Sequence, residues 1–331
     1  MKLPLTRSAV PILAVPVIAA AAVASVLVVS HHTDLSALNP SGPAHDARAS
    51  ARPLPCERGI THRPFTGIAI NPGITAHARS FQHVTHSQIQ VIEFYNPFTK
   101  PFQRWEAQQV TALGDVPLIQ LNPRHAPAAR IVAGRYDGAI RQYADAVKDF
   151  RCRVIISFGH EMNGFWYRWG LPWTKPAAFI AEWRHIHDIF VSEGATNVIW
   201  SWDPSHEYRY GATMASRWYP GNSYVDWIGI DGYLRAGQTF ADIFATQLRN
   251  IRRVTSKPVY LAETGVAGGP DQTWQIADLF AALKKYKING LVWFDLDRLE
   301  PWRLEGRPAG LAAYHKAVAK LRGQPLEKVR P

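Results

Sequence analysis

The sequence predicts an α/β fold, a single (β/α)8 or TIM barrel. Three observations point there. Eight short, nearly continuous apolar runs recur along the chain, and the segments between them repeat apolar residues at helix spacing. Together these units occupy roughly 260 residues, close to the ~250 of a typical barrel. Strands covered by helices on both faces are apolar throughout rather than alternating.

The first run is Phe65–Ile70, followed by Asn71-Pro72-Gly73. A doubly wound open sheet, the competing architecture, places a glycine-rich phosphate loop at that point, and none is there. Gln90–Tyr95 and Val116–Leu121 give the second and third strands. Ile140, Tyr143, Val147 and Phe150 then form one apolar helix stripe. Val154–Phe158 is the fourth strand. Thr174 ahead of Pro176 marks a helix start, and Gly194 after Glu193 marks its stop. Val198–Trp202 and Trp227–Asp231 follow as strands. Phe240, Ile243, Phe244, Leu248 and Ile251 make a second stripe before Val259–Ala262, and Leu291–Phe294 is the eighth strand. No second domain and no internal repeat is visible.

Residues 1–30 read as a signal peptide or a signal anchor. Lys2 and Arg7 precede an uncharged run from Ser8 to Ser30. The run exceeds the ~7–15 residues of a usual signal core and approaches the ~20 that span a bilayer. Val23-Ala24-Ser25 offers a cleavage site in the first case; Lys2 and Arg7 stay cytoplasmic in the second. Both readings export the domain that follows, as a secreted or a membrane-anchored protein. Residues 31–60, rich in Pro, Ser, Ala and His, read as a linker. The barrel is assigned to 61–322 and a short tail to 323–331.

The two cysteines are Cys56 and Cys152. An exported chain can keep a disulfide, and both residues lie just ahead of strands, at the N-terminal end of the barrel. A bridge between them would add roughly 4–5 kcal/mol in the chain-entropy picture; two buried free thiols are the alternative. The net charge of +11 is spread along the chain, with no run of five like charges and no nucleic-acid motif. That argues against a nucleic-acid partner and leaves two readings, a scattered solvated surface or association with an anionic wall or membrane surface. With 47% hydrophobic and 19% charged residues the chain is globular, not disordered. Twelve tryptophans suit either a large core or flat sugar faces.

The chemistry gathers after the fourth and seventh strands. The fourth leads into Gly159-His160-Glu161-Met162-Asn163-Gly164-Phe165-Trp166-Tyr167-Arg168-Trp169-Gly170, the seventh into Glu263-Thr264-Gly265. The two glutamates are 102 residues apart, three βα units of roughly 34, which puts both on the catalytic rim of a barrel. Two carboxyl groups flanking a bond among aromatic rings are what glycosidic cleavage requires; a structural ion pair is the plainer alternative. A zinc site of the H-E-x-x-H kind cannot form, because the last position is Gly164. His185 and His187 are two apart on a helix and face different ways. No metal and no organic cofactor is expected.

His160-Glu161-Met162-Asn163-Gly164-x-Trp166-Tyr167-x-Trp169-Gly170, Asp226-Trp227-Ile228-Gly229-Ile230-Asp231-Gly232-Tyr233 and Glu263-Thr264-Gly265 resemble glycoside hydrolase family 26. The likeness runs over about residues 62–320 in element order. It implies a retaining (β/α)8 catalytic domain, with Glu161 as acid/base and Glu263 as nucleophile. By the same resemblance His160 stands beside the acid and Tyr233 hydrogen-bonds the nucleophile. Trp166 and Trp293 would wall the reacting subsite. Asp231, two residues before Tyr233, would face the same way and tune the site; Asn163 would bind a sugar hydroxyl or fix its loop. Arg168 departs from the proline many members carry there. Trp169, Trp173, Trp202 and Trp302 sit in or near predicted rim loops, as sugar platforms or as packing. The implied substrate is an extracellular β-linked polysaccharide, β-1,4-mannan first, then mixed-linkage β-glucan or β-1,3-xylan. Short rim loops suggest an open, endo-acting cleft, and a monomer is expected. The competing class is a non-catalytic, cell-surface glycan-binding barrel, which predicts loss of one glutamate.

Overall fold

The computed structural model describes residues 59–61, 63–70, 73–206, 214–298 and 300–321, all within one compact unit spanning 51–331. Eight parallel strands close into a barrel in sequence order: β1 (Phe65–Ala69), β2 (Val91–Pro97), β3 (Val116–Asn122), β4 (Val154–Phe158), β5 (Val198–Trp202), β6 (Trp227–Leu234), β7 (Val259–Val266) and β8 (Gly290–Phe294). β8 pairs back onto β1 from Phe65↔Gly290 to Ala69↔Phe294. The helices are α1 (Ile74–Thr85), α2 (Arg104–Ala112), α3 (Ala128–Val132), α4 (Asp137–Phe150), α5 (Pro176–Ser192), α6 (Phe240–Arg252), α7 (Gln272–Lys285) and α8 (Pro308–Leu321). Every predicted strand is present, and both predicted helix stripes are buried, on α4 and α6.

Alternation along the strands sorts side chains into two cores. One lies between sheet and helices; the other fills the barrel. Aromatic rings close the lower interior, with Phe65 5.9 Å from Trp227 and 5.7 Å from Tyr260. Above them the interior turns polar: Glu93, Gln120, Ser157, Ser201, Asp203, Asp231 and Glu263 are all buried. The apolar plug thus ends where the carboxyl groups begin.

On β8, Val292 and Phe294 point into the barrel while Leu291 and Trp293 point to the helices. Trp293 is fully buried and meets Tyr314 of α8 edge-on at 5.3 Å. The expectation that it walls a sugar subsite is therefore corrected: the strand's alternation turns it away from the cleft.

β6 and β7 run further than the sequence suggests. Gly232, Thr264 and Gly265 read as loop residues, but the ladder continues through Gly232↔Thr264, Tyr233↔Gly265 and Leu234↔Val266. Glu263 consequently lies inside β7 rather than past its end, directly opposite Asp231.

Cys152 is disulfide-bonded, and there is no free cysteine among the described residues. Cys56, the chain's other cysteine, lies outside the described residues, as do residues 1–30, the 31–58 part of the linker and the tail. Among the described residues no helix is long and apolar enough to cross a membrane.

β6 approaches its neighbours closely at Gly229, where an added Cβ would lie 2.2 Å from Asp203 Oδ1 and 2.6 Å from Ala262 Cβ. Neither the buried carboxyl nor the backbone-fixed methyl can withdraw. Gly229→Ala is expected to cost about 1–3 kcal/mol, read as a lower urea midpoint; an unchanged midpoint would show that this interior yields.

Candidate active site

The chain leaves β4 through two left-handed residues, Gly159 (φ 58°) and Glu161 (φ 54°). A non-glycine residue there is uncommon and costs of order 1–3 kcal/mol, a strain that clusters at functional sites. Glu161 therefore sits three residues beyond the strand, in a turn, within the run that the sequence placed after β4. Two backbone bonds hold it: its N–H donates to Asp203 O at 2.7 Å, and Gly164 N–H donates to Glu161 O at 2.9 Å. Trp166 folds back over Gly164, where any Cβ would lie 2.4 Å from its ring. From there its Nε1–H donates to Glu161 Oε2 at 2.6 Å.

Glu263 is held from both sides. Tyr95 on β2 donates its hydroxyl to Oε1 at 2.6 Å, and Tyr233 on β6 donates to Oε2. Burial, and then the charge on Glu263, push both phenols well above their ordinary range. They keep their protons and remain donors. Tyr95 was not foreseen. The signal was its parity with Glu93 on an otherwise apolar strand, which turns both into the barrel.

Glu161 is half-buried, and its carboxyl is raised from 4.5 to about 8. Burial is the largest cause and the facing charge of Glu263 the second; the Trp166 bond pulls the other way. Glu93 and Asp231 lie well above the ordinary carboxyl range for the same two leading reasons. Asp203 is pushed up to about 6 by burial, against hydrogen bonds from Ser201, Ser157 and the Gly229 N–H. Around Glu263 the site thus collects carboxyl groups that burial and its charge push upward, and Glu161, at about 8, holds its proton at neutral pH. A protonated acid facing a carboxylate held by two donors is an acid and a base with separated roles.

The remaining expected residues fall as follows. His160 is buried against Tyr167 at 4.9 Å, Trp169 at 5.6 Å and Tyr95 at 5.7 Å. Burial lowers it to about 4, so the ring is neutral near pH 7. Asn163 fixes a loop: its amide accepts from Ser205 N–H and donates to Ser205 O, both at 2.9 Å. Ser205 in turn bridges to Asp231, so the β4 turn is tied to β6. Asp231 is fully buried, and its position beside Tyr233 on β6 agrees with the expected shared face. Trp169, Trp202 and Trp302 are buried packing, whereas Trp173 is 53% exposed. Trp302, 4.8 Å from Tyr233, backs the site where Trp293 does not.

Among the described residues one group, His77, Asp295 and Glu305, brings metal-ligating atoms within 4.8 Å of one another. It includes neither Glu161 nor Glu263. The Arg303 guanidinium already stands 4.0 Å from Asp295 and 3.5 Å from Glu305.

A closed (β/α)8 barrel with an acid after β4 and a hydrogen-bonded carboxylate on β7 is the architecture of a barrel glycoside hydrolase. The chain belongs to glycosyl hydrolase family 26, whose family model matches residues 74–303. It is similar to Endoglucanase H of Acetivibrio thermocellus, 28% identical over 258 residues, which cover 72% of this chain and 28% of that protein. It is also similar to Mannan endo-1,4-beta-mannosidase A and B of Caldalkalibacillus mannanilyticus, 30% identical over 174 residues, 49% of this chain and 32% of that one. The chain thus spans about a third or less of these relatives' length. Among solved structures, a double mutant of the Cellulomonas fimi endo-beta-1,4-mannanase superposes with a TM-score of 0.62 at 17% identity, covering 78% of this chain and 70% of that one. The Bacteroides ovatus beta-mannanase BoMan26A gives 0.55 at 19%, covering 76% and 88%. At such identity these structures speak for the fold.

The electrostatics give a titration test. In the intact protein, carbon-13 NMR of labelled glutamate should show Glu161 titrating near 8. In Glu263→Gln the facing charge is gone, so the midpoint should fall; no movement would mean that Glu263 does not act on Glu161. Because the folded state holds this proton above the unfolded value of 4.5, the linked stability is complete below about pH 4.5. It is lost as the pH rises towards 8.

Proposed function

We propose that this domain is a retaining, endo-acting glycoside hydrolase that cleaves β-1,4-mannan. The observation that carries this reading is the pair itself: a carboxyl raised to about 8 on Glu161, facing Glu263 gripped by Tyr95 and Tyr233. Glu161, protonated at rest, gives its proton to the departing glycosidic oxygen. Glu263 attacks the anomeric carbon from the other side and forms a covalent glycosyl-enzyme. Glu161, now a base, takes a proton from water, which releases the sugar with its stereochemistry retained. Tyr95 and Tyr233 hold the attacking carboxylate in place. Trp166 orients Glu161 without removing its proton, because burial outweighs that hydrogen bond. His160, neutral and packed among rings, supports the wall beside the acid. Its neighbour Asn163 keeps the turn in register with β6.

Mannan is the first substrate because mannan endo-1,4-beta-mannosidases recur among the relatives. A mixed-linkage β-glucan is the second reading. It is favoured by the relative that aligns over 72% of this chain, Endoglucanase H. The basic, apolar N-terminus supports action outside the cell, either released or tethered; the mature N-terminus of the exported protein decides between the two.

On galactomannan, glucomannan, barley β-glucan, β-1,3-xylan and cellulose, the wild type should release reducing sugar from galactomannan and glucomannan. Glu161→Ala should lose about 10²–10⁴-fold in kcat, the range of general acid–base catalysis, and Glu263→Ala at least as much. kcat/KM should decline as the pH rises through about 8, as Glu161 loses its proton. Undiminished activity in Glu263→Ala would remove the proposed nucleophile; cleavage of barley β-glucan alone would reassign the substrate.

A further inference from the structure

A cavity of about 420 Å³ opens at the rim between the loops that follow β3 and β4, lined by His125, Arg168, Trp173, Thr174 and Lys175 with Pro127 and small alanines. Its volume falls in the usual range for small-molecule sites. The lining includes two fixed cations and a histidine but no carboxyl group. Among the described residues neither Arg168 nor Lys175 nor His125 is ion-paired.

The walls are held in place. Thr174 donates its hydroxyl to Arg168 O at 3.0 Å. Trp173 and Thr174 both send their N–H to Gly170 O, at 3.1 and 2.9 Å. The guanidinium carbon of Arg168 stands 5.7 Å from the Trp173 ring centroid. A guanidinium on an aromatic face is fixed in orientation, yet it keeps edge N–H donors free for a two-pronged bond to a carboxylate. Trp173, 53% exposed, and Phe165, 57% exposed, add flat apolar surface on the same loop.

The cavity also has a definite side. The loop after β4 that forms one wall is the loop that carries Glu161. Trp169 ties that loop to the acid by donating its Nε1–H to His160 O at 2.7 Å. Glu263 stands across the barrel on β7. Since Glu161 gives its proton to the departing sugar, this rim belongs to the leaving-group side.

We infer that the pocket of Arg168, Lys175, His125 and Trp173 is a subsite for a carboxylate-bearing sugar, a uronate unit carried by the polysaccharide on the leaving-group side. This assignment rests on the hydrolase reading above and names the substrate more closely: a β-linked glycan with acidic units. The cations select the carboxylate, and the aromatic surface takes the apolar face of the ring. Arg168 and Lys175 together make this chain's pocket charged.

The test uses a hydrolytically silent protein, Glu263→Gln, and isothermal titration calorimetry at low salt. Two probes are compared: a mannooligosaccharide carrying one glucuronate, and the same oligosaccharide carrying glucose instead. The acidic probe should bind about ten-fold or more tightly, as charge-assisted hydrogen bonds permit. That preference should vanish when Arg168→Gln and Lys175→Gln are added, while the affinity for the neutral probe stays the same. Raising the salt should weaken only the acidic probe. Equal affinity for the two probes, or a preference that survives both substitutions in a folded protein, overturns the assignment. Hydrolysis of neutral mannan by the wild-type protein is read separately, so a failed uronate preference leaves the hydrolase reading standing, and failed hydrolysis leaves the binding result readable.

Discussion

The buried negative charge on Glu263 organises the upper half of this barrel. Burying a carboxylate is costly unless donors meet it, and here two tyrosine hydroxyls do so. The same charge raises Glu161, Asp231, Glu93 and both tyrosines, in each case after burial itself. Like charges this close do not all ionise together. The charge stays on Glu263, and Glu161 facing it, at about 8, keeps its proton at neutral pH. In the proposed mechanism the division into attacking carboxylate and waiting acid follows from packing several carboxyl groups into one buried space.

The fold supplies that space by closing the barrel floor with Phe65, Trp227 and Tyr260, so polar residues collect only above it. β6 and β7 extend together and lift Asp231, Tyr233 and Glu263 into register. The β4 turn is strained at Glu161. It is fastened by a backbone bond to Asp203 and by the Asn163–Ser205 clasp. Local strain of this sort persists only where its surroundings over-determine it.

Much of this was legible in the residues. Doubly covered strands are apolar throughout, so the eight runs and their order could be read directly, and the spacing of Glu161 and Glu263 placed both at one end. What failed depended on partners. Gly232, Thr264 and Gly265 look like loop by propensity, but a neighbouring strand pairs them into the ladder. Trp293 looks like a cleft residue until strand parity is traced, since Val292 and Phe294 take the interior. Tyr95 comes from a different strand than the carboxylate it serves, a contact that no local pattern records. Asn163 left two roles open because its partner, Ser205, is 42 residues away.

In the proposed mechanism Glu161 and Glu263 act in sequence on opposite sides of one sugar, through a covalent intermediate. The most direct test is the configuration of the first product, followed by proton NMR during the earliest minutes of hydrolysis, before mutarotation. Retention requires that the β-anomer appears first and the α-anomer grows in later. An α-anomer that appears first would contradict it, because it requires water, not Glu263, to attack the anomeric carbon.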